Sequence, residues 1–196
     1  MKVLVTGGAG LVGFFACRKY LLDGHEVFAI DNFYRKQLFG EQGDTEGNIK
    51  ELMSANRNLK FFNFDIRDIK AVENLIKKEK FDLVIHAAAQ PSHPKSIEIP
   101  YEDFEVNAHG TIILLEAIRK YSAQSVFIFC STNKVYGEHP NQKNIIELET
   151  RYDYADIDGI DEKTPIDFTK HTPMGVSKAA ADLYVQEYAR VYNLKT

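Results

Sequence analysis

The run Val3-Leu4-Val5-Thr6-Gly7-Gly8-Ala9-Gly10-Leu11-Val12-Gly13 constrains this chain more than any other segment. It reads as a short β-branched strand, a glycine turn and the start of a helix. Gly7, Gly10 and Gly13 stand three apart, and Gly8, Gly10 and Gly13 also satisfy a G-x-G-x-x-G spacing. One such glycine permits the tight turn. Another lets backbone N–H groups approach a pyrophosphate, and a third lets the helix pack closely on the strand. The pyrophosphate then meets the positive end of a helix. Glycine spacing alone is weak, but a second apolar strand, Glu26 to Asp31, ends in an acid about 20 residues further on. An Asp there accepts hydrogen bonds from the adenosine ribose and repels a 2′-phosphate, so NAD is expected in preference to NADP.

The rest of the chain alternates strands and helices. Expected strands are Lys2–Thr6, Glu26–Asp31, Leu59–Phe64, Leu83–His86 and Val126–Cys130. Expected helices are Gly10–Leu22, a short one at Asn48–Met53, Ile69–Lys78 with Asp68 as its N-cap, Tyr101–Tyr121 and Gly175–Tyr192. Pro91 to Pro100 reads as a loop. The strands are continuous apolar runs, as expected when both sheet faces are covered. The fold class is therefore α/β, a doubly wound parallel sheet of the Rossmann type, in one domain over residues 1–196. Residues 131–173 form a long loop rich in Asp, Asn and Pro after the fifth strand. A loop of that length at a carboxyl strand end reads as an active-site region.

Composition removes several alternatives. The net charge of -4 gives no support to nucleic-acid binding. Cys17 and Cys130 are the only cysteines, and their spacing suggests neither a metal site nor a disulfide framework, which fits a reducing cytoplasm. No signal peptide precedes the first strand, and no apolar run is long enough for a membrane span. Glu102, Asp103 and Glu105 fall in the expected first turn of a helix, where the dipole favours acids, so they argue poorly for a carboxylate-pair hydrolase. His86 reads as a satisfied core histidine, Asn107 as a side chain bonded to backbone, and Phe61, Phe62 and Phe64 as core.

Six segments, taken in order, resemble one family. They are Thr6-Gly7-x-x-Gly10-x-x-Gly13, Asp31-Asn32, Asp65-Ile66-Arg67-Asp68, His86-Ala87-Ala88-Ala89-Gln90, Val106-Asn107-x-x-Gly110-Thr111 and Ser177-Lys178. The chain resembles the extended short-chain dehydrogenase/reductases, specifically the NAD-dependent sugar-nucleotide epimerases and dehydratases. Ser131 to Gly137 and Glu149-Thr150-Arg151-Tyr152 look most like the branch of CDP-tyvelose (CDP-paratose) 2-epimerases. The resemblance implies roles. Gly7 and Gly13 shape the turn, while backbone at Gly10, Leu11 and Val12 holds the pyrophosphate. Asp31 and Asn32 take the adenosine ribose, Asp65 and Ile66 meet adenine, and Ala87, Ala88, Ala89 and Gln90 line the cofactor. Thr132 bonds the reacting sugar oxygen. Lys178 holds the nicotinamide ribose and serves as the lysine of a Tyr-x-x-x-Lys pair.

The tyrosine of that pair is absent: Met174 stands four residues before Lys178. A thioether moves no proton near neutral pH. Tyr136 and His171 are the nearest candidates for a substitute base. Family members continue into a sixth strand and a smaller substrate-binding region, whereas this sequence stops at Lys195-Thr196. The expectation is therefore a truncated member with its substrate subdomain largely absent. Two functions stand open: a sugar-nucleotide epimerase that takes a hydride from a ring carbon of a CDP- or UDP-linked sugar and returns it, or an NAD-binding module without turnover. The resemblance also implies a homodimer through the helices near 101–121 and 176–192.

Overall fold

The computed structural model describes residues 1–196. Five parallel strands, β1 (Lys2–Thr6), β2 (Glu26–Ile30), β3 (Leu59–Phe62), β4 (Leu83–His86) and β5 (Val126–Phe129), form one sheet in the order β3-β2-β1-β4-β5. The order reverses at β1. The chain steps outward through β2 and β3, then crosses back to place β4 on the other side of β1. The crevice between β1 and β4 at their carboxyl ends is thus the switch point of a doubly wound sheet.

Side-chain alternation divides the core. Leu4, Phe28, Ile30, Val84 and Phe127 face α4 (Ile69–Glu79), α7 (Gly110–Tyr121) and α8 (Thr172–Tyr192). Val3, Val5, Val27, Ala29 and Ile85 face α1 (Leu11–Leu22) and α3 (Glu46–Ala55). Both faces are covered over β1, β2 and β4, which carry no polar alternation, whereas the edge strands expose Lys60 on β3 and Val126 and Ile128 on β5. Asp68 caps α4 as expected, its carboxylate accepting from Ala71 N at 3.0 Å.

Several elements depart from expectation. A short helix α2 (Tyr34–Phe39) follows β2, and α3 is longer than the expected 48–53. The stretch 91–100, expected as loop, contains α5 (His93–Glu98), capped by Ser92, whose side chain accepts from Lys95 N. Its proline lies in the first turn, where no N–H is missed. The expected helix 101–121 is really three pieces: α6 (Pro100–Phe104), a single π turn at Glu105–His109, and α7. Helix α8 starts at Thr172, three residues earlier than expected. Residues 131–173 are not plain loop. They hold two 3₁₀ turns, Asn133–Tyr136 and His139–Gln142, and an antiparallel hairpin of β6 (Ile145–Glu147) and β7 (Tyr152–Tyr154).

Candidate functional site

At the switch point lies a cleft of about 340 Å³. It is lined by Gly7, Gly10, Leu11, Val12, Gly13, Asp31, Asn32, Asp65, Ile66, Ala87, Ala88 and Ala89, all named from sequence, together with Ile30, Tyr34, Arg35, Leu38, Thr45, Phe64, Pro91 and Val106. Phe64, expected in the core, is one of its walls.

The glycines act as different devices. Gly7 takes φ 70°, and a Cβ there would sit 2.7 Å from Ala88 N. The turn therefore abuts the backbone after β4. A Cβ on Gly13 would collide with Gly7 O, so α1 begins directly against the turn. Gly10 is the N-cap of α1, with extended backbone, no side-chain cap and no acid in the first turn. The N–H groups of the first helical turn therefore have no intrahelical partner and face a cleft with an anion-favouring dipole. A dinucleotide pyrophosphate would supply the missing acceptors. The cradle fits NAD.

The two acids that line the cleft are already engaged. Asp31 Oδ2 accepts from Ala9 N at 2.9 Å and Oδ1 from Phe33 N at 2.8 Å. Burial holds the Asp31 carboxyl above its ordinary value, with the N–H groups of Phe33, Ala9 and Gly10 opposing. Asn32 Nδ2 donates to Asp65 Oδ2 at 2.8 Å. Arg67 grips Asp65 through Nε at 3.0 Å and Nη2 at 2.7 Å. Burial pushes the Asp65 carboxyl up, but Arg67 and Asn32 outweigh it and leave it below its ordinary value.

Three expected site residues lie outside the cleft wall. Gln90 is fully buried, its Nε2 donating to Asp103 Oδ1 at 2.8 Å and to Ser92 O at 3.0 Å. Its side chain serves the loop after β4 and is turned away from the cleft. Thr132 is half-buried, and its Oγ1 accepts from Lys134 N at 3.3 Å, so it caps the 3₁₀ turn. Lys178 is buried at the carboxyl end of β5. Its Nζ donates to Cys130 O at 2.6 Å and lies 4.0 Å from the Phe129 ring centroid. No carboxylate pairs with it, and burial brings its pKa down to about 8.

Met174 is buried one turn before Lys178, so no phenol stands there. Burial and the carboxylates of Glu162, Asp161 and Asp182 hold the Tyr136 phenol above its ordinary value, the reverse of activation. His171 has both ring nitrogens on carbonyl oxygens, Nδ1 at 3.0 Å from Lys134 O and Nε2 at 2.7 Å from Ile166 O. It ties the loop to α8, with both ring nitrogens turned to carbonyl oxygens.

His86 is a satisfied core histidine, with Nδ1 at 2.6 Å from Thr6 Oγ1 and Nε2 at 2.9 Å from Thr111 Oγ1. Burial lowers its pKa to about 3. Asn107 clamps the Gln90 backbone, accepting from its N at 2.8 Å and donating to its O at 3.2 Å. Asp103 stands in the first turn of α6 as expected, but it is also fully buried and accepts from Gln90, Asn107 and Ser177, a role its sequence position does not reveal. The one available signal was its i, i+4 spacing to Asn107.

Residues 3–196 match the NAD dependent epimerase/dehydratase family. The chain is 42% identical over its whole length to the CDP-paratose 2-epimerase of Salmonella typhi, covering 55% of that protein. It is 33% identical over 98% of its length to a putative UDP-glucose 4-epimerase of Methanocaldococcus jannaschii, covering 52%. Among solved structures, the Thermus thermophilus UDP-glucose 4-epimerase in complex with NAD superposes with TM-score 0.72 at 32% identity, over 99% of this chain and 52% of that one. The chain spans about half the length of the curated relatives it matches.

Proposed function

Because this chain belongs to the NAD-dependent epimerase/dehydratase family, we propose that it forms the cofactor-binding part of a sugar-nucleotide epimerase that acts at C2 of a CDP-linked dideoxyhexose. The observation that carries the reading is the uncapped start of α1 behind Gly7 and Gly13, opening on the same cleft as Asp31. Likeness to the CDP-paratose 2-epimerase favours a CDP-linked sugar over a UDP-linked one. When bound, NAD supplies the hydride acceptor and donor. The chain's own residues do the rest. The first turn of α1 holds the pyrophosphate, and Asp31 takes the adenosine ribose. Asn32 joins Asp31 at the adenosine ribose, and Asp65 and Ile66 border the adenine. Ala87, Ala88 and Ala89 form the wall next to the nicotinamide, while Lys178 holds its ribose and Thr132 bonds the sugar oxygen. With Met174 one turn before it, the Tyr136 phenol held above its ordinary value and both His171 ring nitrogens turned to carbonyl oxygens, Lys178 is the one group named from sequence that is left to carry a proton.

A specific observation favours a second reading. Met174 removes the phenol, and the chain then binds NAD without turnover. Mixing the NAD-loaded protein with CDP- or UDP-sugars separates the two. Appearance of reduced-nicotinamide absorbance supports the epimerase, and its absence with every sugar supports the binding module.

We also propose a homodimer. Tyr101, Phe104, Val176 and Tyr184 leave an apolar face on α6 and α8 exposed to solvent. Sedimentation showing only monomer at micromolar concentration overturns that assignment. No helix is long and apolar enough to cross a membrane.

A further inference from the structure

Of the Tyr-x-x-x-Lys pair only Lys178 remains. A lysine ammonium donates hydrogen bonds but has no lone pair with which to take a proton. A neutral imidazole has one near neutral pH. His86 and His171 spend both ring nitrogens on partners within the chain. His93 spends one. Its Nδ1 lies 2.9 Å from Thr172 Oγ1, whereas Nε2 makes no hydrogen bond within the chain. The residue is half-buried, so the ring is reachable from outside.

Two elements of the site converge on this ring. His93 opens α5 two residues beyond Pro91, which lines the cleft in continuation of Ala87, Ala88 and Ala89. Thr172 opens α8 two residues before Met174. The imidazole therefore stands where the cofactor wall meets the start of the helix that lacks the phenol. Both supports are fixed. Gln90 Oε1 accepts from Ser92 N at 2.6 Å, and Ser96 Oγ donates to His93 O at 2.7 Å. On the other side Thr172 takes φ 66°. A β-branched residue in that region is a backbone outlier, kept only where its surroundings hold it. The hydroxyl so held accepts from Gly175 N at 3.5 Å and meets the imidazole. With Nδ1–H donating to Thr172 Oγ1, the lone pair lies on Nε2, the nitrogen that is free.

We propose that His93 carries the proton in this site in place of the missing phenol. The inference rests on the epimerase reading and assigns a residue which that reading leaves unused. Nε2 takes the hydroxyl proton of the sugar as the hydride of the same carbon leaves to the nicotinamide dinucleotide, and the carbon becomes a ketone. When the hydride returns, Nε2 gives the proton back to the ketone oxygen, and the imidazole is again neutral. Lys178 keeps the nicotinamide ribose, its ammonium anchored on Cys130 O at 2.6 Å.

The test follows the His93 ring-proton resonance of the 196-residue chain by NMR, assigned through its loss in His93→Gln. Glutamine keeps a donor for Thr172 and removes the base. The resonance is expected to move on saturation with NAD and again on addition of CDP-glucose, while that of His25, which precedes β2 at the amino ends of the strands, stays in place. His93→Gln is expected to bind NAD within about twofold of the unsubstituted chain and to form reduced nicotinamide with CDP-sugars at least about a hundredfold more slowly. A His93 resonance that neither ligand moves, in a chain that binds NAD, overturns the assignment while leaving the cofactor site intact. So does a His93→Gln chain that reduces its nicotinamide at the unsubstituted rate. A resonance that moves with both ligands, in an unsubstituted chain that forms no reduced nicotinamide with any CDP-sugar, overturns the proton transfer together with the epimerase reading and keeps His93 only as part of the pocket wall.

Discussion

Ser177 stands one residue before Lys178 and donates its hydroxyl to Asp103 Oδ2 at 2.5 Å, joining α8 to α6. Asn107 Nδ2 donates to the same hydroxyl oxygen at 3.0 Å and to Asp103 Oδ1 at 3.3 Å. Gln90 closes the group from the loop after β4. The helix that carries Met174 and Lys178 is thus held by a buried polar network whose carboxylate has no cationic partner.

Removing the hydroxyl leaves Asp103 Oδ2 buried without a donor. Ser177→Ala is therefore expected to cost about 1–3 kcal/mol in urea unfolding. Asp103→Asn is expected to be milder. Its amide can donate to Ser177 Oγ, whose proton then turns to Met174 O, already 3.1 Å away. If Ser177→Ala changes stability no more than an exposed serine substitution does, the network is not holding α8.

Lys178 makes a pH prediction with a definite sign. Its pKa is about 8 in the folded chain against an ordinary value of 10.5. Between those values the unfolded chain holds a proton that the folded one has lost, so this group makes stability rise with pH. That contribution is fully present above 10.5 and is lost as pH falls through 8. Lys178→Met is expected to flatten the difference between the two ends of that window by roughly 3 kcal/mol. Comparing unfolding of both proteins at neutral pH and near pH 10.5 cancels the groups they share. Parallel pH profiles would show that Lys178 ionises as an ordinary surface lysine.

Asp31→Ala removes the acceptor for the N–H groups of Ala9 and Phe33 as well as the ribose contact. NAD affinity should fall by about tenfold or more, and the ratio of NAD to NADP affinity should drop. Binding measured for both dinucleotides decides it, and a ratio that stays constant removes Asp31 from the ribose site.

Met174→Tyr places a phenol one turn before the Lys178 ammonium. Methionine is apolar and flexible and fills much of the volume of the ring, so the change is expected to be chemical more than structural. The phenolate and the Lys178 ammonium favour each other, so the two groups should titrate as a coupled pair, which difference absorbance of the phenolate reads directly. NAD binding should be unchanged. The unsubstituted chain should show negligible epimerisation of CDP-tyvelose or UDP-galactose, and Met174→Tyr alone should leave it so. A phenol that titrates independently of Lys178 would separate position 174 from its influence.

Local chemistry was legible in the sequence wherever a single segment determined it. Gly7 and Gly13 announced the cradle because each solves a backbone problem that only glycine solves, while Gly10 takes an extended backbone open to other residues. The apolar runs announced five strands, and Asp68 announced its helix. What stayed hidden depended on distant partners. Asp103 looks like a first-turn acid until Gln90 and Ser177 close on it from two other segments. Gln90 looks like a cleft residue until Asp103 and the Ser92 backbone turn it inward. Helix α5 was masked by Pro91, Pro94 and Pro100, which punctuate loops and first helical turns equally well. Arg35 lines the cleft although nothing in its neighbourhood of sequence says that α2 brings it there.

The π turn at Glu105–His109 acts as one residue spliced into an otherwise regular helix. It allows Val106, Asn107 and Ala108 to be buried in succession, so that Asn107 meets Gln90 while Thr111 still reaches His86. An uninterrupted α-helix rotates about 100° per residue and would have to give up one of those contacts. The segment is accordingly a reading-frame constraint on the fold. Point substitutions within it are repairable, but deletion of one residue would turn α7 and its His86 anchor out of phase with α6 and Asp103. Sequence length between Asp103 and Thr111 is therefore as much a part of this site as the residues that flank it.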